Sequence, residues 1–164
     1  MSEKNSVTNS IIIAPHPDDE IIGCFEQIRN PFSNLIIIYS GDTDADRRET
    51  VLELKKHIEQ VKIQLFQNSV PPTFLSKENV FFFPDPIYET HPKHREWGNM
   101  GESMARQGFK VNFYNTNMTA PYIHEVNNPE DKKYLLDKVY PDQKSLWEFD
   151  HKYFLFEGYC RWIF

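Results

Sequence analysis

Cysteine is scarce in this 164-residue chain. Cys24 and Cys160 are the only two, too few for a disulfide framework, and their scarcity points to a reducing cytoplasm. Long apolar runs are missing as well. Residues 11–14 and 35–39 are the longest clearly apolar stretches, far too short to span a bilayer. A basic excess is also absent. Eighteen Lys and Arg against 24 Asp and Glu leave a net charge of −6, which weighs against a general nucleic-acid binder or a binder of anionic membranes. The first ten residues are polar and carry Glu3, so no signal peptide is expected. What remains is 40% hydrophobic and 26% charged, a globular composition in a length that suits one domain over 1–164, with 1–9 expected to be flexible.

Apolar patterning alternates between strand and helix. Residues 10–14 and 34–40 are short apolar runs rich in isoleucine, as strands buried on both faces are. Between them, Ile21, Phe25 and Ile28 recur at helical spacing over 19–30, with Asp18, Asp19 and Glu20 at the start, where the helix dipole favours acids. Val51, Leu54, Ile58 and Val61 mark a second helix over 48–61. Further strands are expected at 61–66, 80–83, 109–114 and 121–126, and further helices at 95–107 and 131–140, with another turn or two at 144–151. Residues 152–162 are aromatic and fit either strand or helix. Such alternation implies an α/β, Rossmann-like three-layer sandwich with a mainly parallel sheet. Ligands of these sheets bind at the carboxyl ends of the strands, so the loops after Ala14, Ser40, Phe83 and Tyr114 carry the interest.

The loop after the first strand reads Pro15-His16-Pro17-Asp18-Asp19-Glu20. A given five-residue string such as His-Pro-Asp-Asp-Glu arises by chance in a chain this long about once in 20,000. Helix capping accounts for the acids but not for His16 between two prolines. His16 and Asp19, three apart across a stiff bend, suit a divalent metal such as zinc, which takes imidazole nitrogen and carboxylate oxygen and keeps a position for water at catalytic sites. Asp18 projects differently and is available to act on that water. A third ligand is expected from His91-Pro92-Lys93-His94, after the fourth strand, with His124 as the runner-up.

These segments resemble the PIG-L/LmbE-like family of zinc-dependent N-acetylglucosamine de-N-acetylases. Residues 14–20 with Gly23 are close to its Pro-His-Pro-Asp-Asp-Glu-x-x-Gly signature. His91-Pro92-Lys93-His94-Arg95 is similar to its distal His-Pro-Asp-His-Arg, and residues 133–143 give a softer match through Leu135, Leu136, Tyr140 and Gln143. The resemblance implies a Rossmann-like sandwich holding one zinc per chain through His16, Asp19 and His94. It makes Asp18 the general base and His91 the group that stabilises the tetrahedral intermediate. The substrate would be an N-acetylated amino sugar or its conjugate, with a related amide or a non-catalytic carbohydrate-binding or metal-binding domain as alternatives. Lys93 replaces the family's aspartate, and Glu89 is the candidate to orient His91 in its stead. The short chain also leaves room for a homo-oligomer in which a partner subunit completes the sugar pocket.

Several further residues are candidates for contacting substrate. The second loop is acidic, with Asp42, Asp44 and Asp46 imitating a calcium loop but with Arg47 where glycine is required. Family members carry an arginine near this helix start that contacts substrate, a role Arg47 or Arg48 could fill. Asp85 could accept from a sugar hydroxyl or cap a turn between Pro84 and Pro86. Tyr88 and Trp97 could stack on a sugar or pack in the core.

Overall fold

The computed structural model describes residues 8–30, 34–40, 45–65 and 67–163, the side chains of 45–48 and 160–163 excepted. A seven-stranded sheet runs through it, in the order β3-β2-β1-β4-β5-β7-β6. The strands β1 (Asn9–Ala14), β2 (Asn34–Tyr39), β3 (Val61–Gln64), β4 (Val80–Pro84) and β5 (Lys110–Asn115) are parallel. At one edge β7 (Phe156–Ile163) runs antiparallel to both β5 and β6 (Tyr122–Glu125). The ambiguous stretch 152–162 therefore splits, its first turn forming the short helix α6 (Lys152–Leu155) and the rest β7. β1 takes in Asn9, expected in a flexible lead, because the Asn79 side chain accepts from its backbone N–H at 2.9 Å. Residues 1–7 lie outside the described residues.

Both faces of the central strands are covered, which is why they read as unbroken apolar runs. Ile12, Leu35, Ile37, Phe82 and Tyr114 face α1 (Asp19–Arg29), α2 (Ala45–His57), α4 (Pro129–Val139) and α5 (Lys144–Phe149), meeting Phe25, Ile28, Leu54, Leu135, Val139 and Trp147. Ile11, Ile13, Ile36, Phe81 and Phe83 face α3 (Pro92–Arg106), packing on Trp97 and Met104. Trp97 is thus core, as is Cys24. The result is a three-layer α/β sandwich. No helix among the described residues is long and apolar enough to cross a membrane.

The structure differs from the expected helix bounds at α2, which ends at His57 and leaves Ile58 and Val61 outside it, and at α3. That helix begins at Pro92, not Arg95, with His91 as N-cap and Pro92 in its first turn, where a missing N–H costs nothing. His94 consequently lies in the first helical turn rather than in a loop.

The antiparallel edge is fastened by Lys132. It is fully buried on α4, and its ammonium donates to the carbonyls of Ile22 at 2.7 Å and Phe156 at 2.8 Å. Glu157, also buried, accepts from the Glu26 backbone N–H at 3.0 Å. Burial pushes Lys132 below its ordinary range and raises Glu157 to about 7, against the opposing pull of the Lys132 charge. Glu157 therefore binds its proton more tightly folded than unfolded. Its stabilisation is full below pH 4.5 and is lost as the pH rises through about 7. Glu157→Gln is expected to cost more stability at pH 5 than at pH 8, by on the order of 1 kcal/mol. Urea denaturation at the two pH values checks the sign. Lys132→Met leaves two carbonyls and a carboxylate without their cation and is expected to cost about 3–5 kcal/mol in the same assay.

Candidate metal and catalytic site

Three loops at the carboxyl ends of β1, β4 and β5 converge on one pocket of about 320 Å³, whose lining includes His16, Asp18, Asp19, His91, His94 and Thr116. The first loop folds tightly: the Asp19 N–H donates to the His16 carbonyl at 3.2 Å, and Asp19 Oδ2 accepts from the His16 N–H at 2.7 Å. Asp18 is the N-cap of α1 but makes no side-chain capping bond. Its backbone is left-handed, with φ 111° and ψ −27°. A non-glycine residue there is strained, and such strain collects at functional sites.

One ring nitrogen from each of His16, His91 and His94 lies within 4.8 Å of the others, a grouping that could hold a metal ion. His16 Nδ1 is 3.0 Å from His94 Nε2 and 3.3 Å from Asp19 Oδ2, which is itself 3.0 Å from His94 Nε2. Burial alone would raise Asp19; His94 and His16 outweigh it and hold the carboxyl well below the usual carboxylate range. Burial would likewise lower His94, yet Asp19 and Glu89 raise it to about 10. The far side of His94 is tied down too. Its Nδ1 lies 3.2 Å from Glu89 Oε2. Glu89 is 1% exposed and also accepts from the N–H of Thr116 at 2.7 Å and from its hydroxyl at 2.9 Å.

The Glu89 carboxylate therefore orients His94, not His91 as expected. Lys93 does not act on His91 through its ammonium either, since it turns toward Glu96 at 3.4 Å. What touches His91 is the Lys93 backbone, whose N–H donates to Nδ1 at 3.1 Å. With Nδ1 accepting, the proton of a neutral ring sits on Nε2. Burial, then His16 and His94, lower the pKa of His91, which favours the neutral ring over the imidazolium.

Among the proposed substrate contacts, Asp85 is corrected. It is fully buried, with Oδ1 accepting from the N–H groups of Ile87 and Tyr88 and Oδ2 from the Asn115 side chain at 2.7 Å. It caps the turn that carries Glu89 and is closed to a sugar hydroxyl. Tyr88 is exposed and is not among the residues lining the pocket. His124 sits on β6, with Nε2 3.7 Å from Glu157 Oε2, and does not join the cluster. Asp42 and Asp44 lie outside the described residues. So do the side chains of Asp46, Arg47 and Arg48, whose backbone is helical in α2. Thr116 was not anticipated. It has no local signature and reaches Glu89 across 27 positions of chain.

No family model matches the chain, and no curated protein matches its sequence. Among solved structures, the chain is similar to the conserved protein TT1542 from Thermus thermophilus. Identity is 15%, the TM-score is 0.58, and 93% of each chain is covered. At that identity the likeness shows the fold alone, an α/β sandwich.

Because Glu89 fixes the His94 ring, and that ring belongs to a group able to hold a metal ion, Glu89→Gln is expected to weaken binding of a divalent metal about 10–100-fold, with the fold intact. Competition with a chromogenic chelator measures this, and Glu96→Gln, beside Lys93, is the control expected to change nothing.

Proposed function

We propose that the chain is a hydrolase that uses one zinc ion per chain to cleave an N-acetyl amide. The substrate we infer is an N-acetylglucosamine-type amino sugar or its conjugate in a reducing cytoplasm. The observation that carries this reading is the convergence of two imidazole nitrogens on one Asp19 oxygen, in a pocket that the strained Asp18 also lines. The donor set fits the metal. Ligands about 2.0–2.1 Å from a tetrahedral zinc stand roughly 3.3 Å apart, close to the 3.0–3.3 Å separations among His16, Asp19 and His94. His91 is a weaker candidate ligand than Asp19, because its Nδ1 already accepts from Lys93 and its Nε2 carries the proton.

Zinc held by His16, Asp19 and His94 would lower the pKa of a water and polarise an amide carbonyl. Asp18, which lines the same pocket, would take the proton from an attacking water. His91, neutral with its hydrogen on Nε2, donates to the carbonyl oxygen as it gains charge. Asp18 then returns the proton to the departing amine, and the products are acetate and a free amine. One alternative has its own support. Asp85 is consumed in a turn, and Ile22, Leu146 and Tyr153 give the pocket an apolar side, which favours a non-sugar amide bearing an apolar group.

Acetate release from a panel of N-acetylated sugars and aryl or alkyl acetamides tests the reading. No release from any member, with zinc bound, would sink it. Asp19→Ala and His94→Ala are expected to lose metal and activity together, while His124→Ala keeps both. Asp18→Asn is expected to retain the metal and lose about 100-fold or more in activity. Asp18→Gly should be equally inactive yet more stable by about 1 kcal/mol, since glycine adopts the left-handed backbone without strain. Thermal unfolding of the two variants separates the chemical role from a structural one.

A further inference from the structure

A second pocket, of about 260 Å³, lies between the C-terminal half of α1 and the sheet, and it shares no lining residue with the first. Its lining includes Gln27, Phe82, Asn112, His124, Glu157 and Tyr159. Asn112 sits in the middle of β5 between Val111 and Phe113, which face the α3 side, so its carboxamide turns toward α1 beside Phe82 and Tyr114. It is 2% exposed, and neither its Nδ2 nor its Oδ1 has a hydrogen-bond partner among the described residues. The same holds for Gln27 Oε1 and for Nδ1 of His124, both buried at the same pocket. Buried polar groups in folded proteins are nearly always satisfied, so four orphaned atoms on one cavity mark a place where something is bound.

The chemistry of the walls narrows what that is. A carboxamide offers a donor and an acceptor side by side, and its complement is a second amide edge with the same pair reversed. The remaining walls are largely aromatic, from Phe82, Tyr114 and Tyr159, which suits a flat ring. Glu26 and Glu157 stand at the pocket, and neither lysine nor arginine lines it, so an anion is disfavoured. The volume lies just under the range of drug-sized sites and far above the room for one water. We propose that this pocket binds a neutral, planar, single-ring molecule through a cis-amide edge, held in pairwise hydrogen bonds by Asn112 and flanked by Gln27 and His124. This site stands independently of the hydrolase reading, since it uses none of the same residues.

The test is titration of the full chain with 2-pyridone, a bare lactam ring, followed by backbone amide shifts. Saturable shifts centred on Gly23, Gln27, Asn112 and Gly158 are expected, with toluene (the same shape without the edge) and benzoate (an anion) at least tenfold weaker. Asn112→Leu is expected to weaken 2-pyridone at least tenfold without changing the metal content. Should that variant fail to fold, Gln27→Met, on a partly exposed helix position, is expected to weaken it severalfold. The proposal is overturned if 2-pyridone gives no saturable shift or binds no better than toluene. It is equally overturned if the folded variants bind as the parent does, or if a crystal soaked in 2-pyridone holds only ordered waters bridging these four atoms.

Discussion

His94 is gripped from both sides by carboxylates, Asp19 at Nε2 and Glu89 at Nδ1, and the rest of the site is arranged around that line. An imidazole this buried is tolerated because both nitrogens have acidic neighbours, and Thr116 ties up the other oxygen of Glu89. The line crosses three loops, after β1, β4 and β5, whose strands are neighbours or next-neighbours in the parallel part of the sheet. Parallel pairing in register sets those loops at one edge. The fold's contribution to chemistry is therefore placement, and residues nearly 100 positions apart in the chain share one hydrogen-bonded unit.

Much of this was legible in the sequence. The strands β1, β2 and β4 show as apolar runs because both of their faces are covered, and the His-Pro-Asp-Asp-Glu turn shows because its residues are chemically unusual neighbours. The edge of the sheet was harder. Residues 156–163 mix aromatic and polar side chains, and the pairing that makes them a strand comes from β5 and β6, distant in the chain. Asp85 illustrates a different limit. An acid between two prolines reads equally as a turn cap or a ligand, and only the N–H groups converging on it and the Asn115 amide decide for the cap. Glu89 was noticed for the wrong histidine, since sequence distance to His91 and His94 says nothing about which ring its carboxylate meets.

The first helix serves two surfaces. Its first turn supplies Asp19 to the cluster, and its later turns roof the second pocket, with Gly23 close enough to Tyr114 that a β-carbon would stand 2.2 Å from the ring. Between them the helical dihedrals break at Cys24, φ −135° and ψ 28°. The helix is thus kinked between its two halves.

Gly98 has no side chain to offer any reaction, yet it limits the site. A β-carbon there would lie 2.6 Å from the Pro84 carbonyl and 2.7 Å from the Pro86 nitrogen, both backbone atoms that cannot swing aside. It stands one helical turn after His94, so the separation it permits between α3 and the 84–86 segment also sets how deep that imidazole sits. The gap works as a gauge. Any larger residue would lift the helix like a shim and draw the ring away from Asp19. Tolerance for variation at position 98 is thereby tied to chemistry in which that position takes no part.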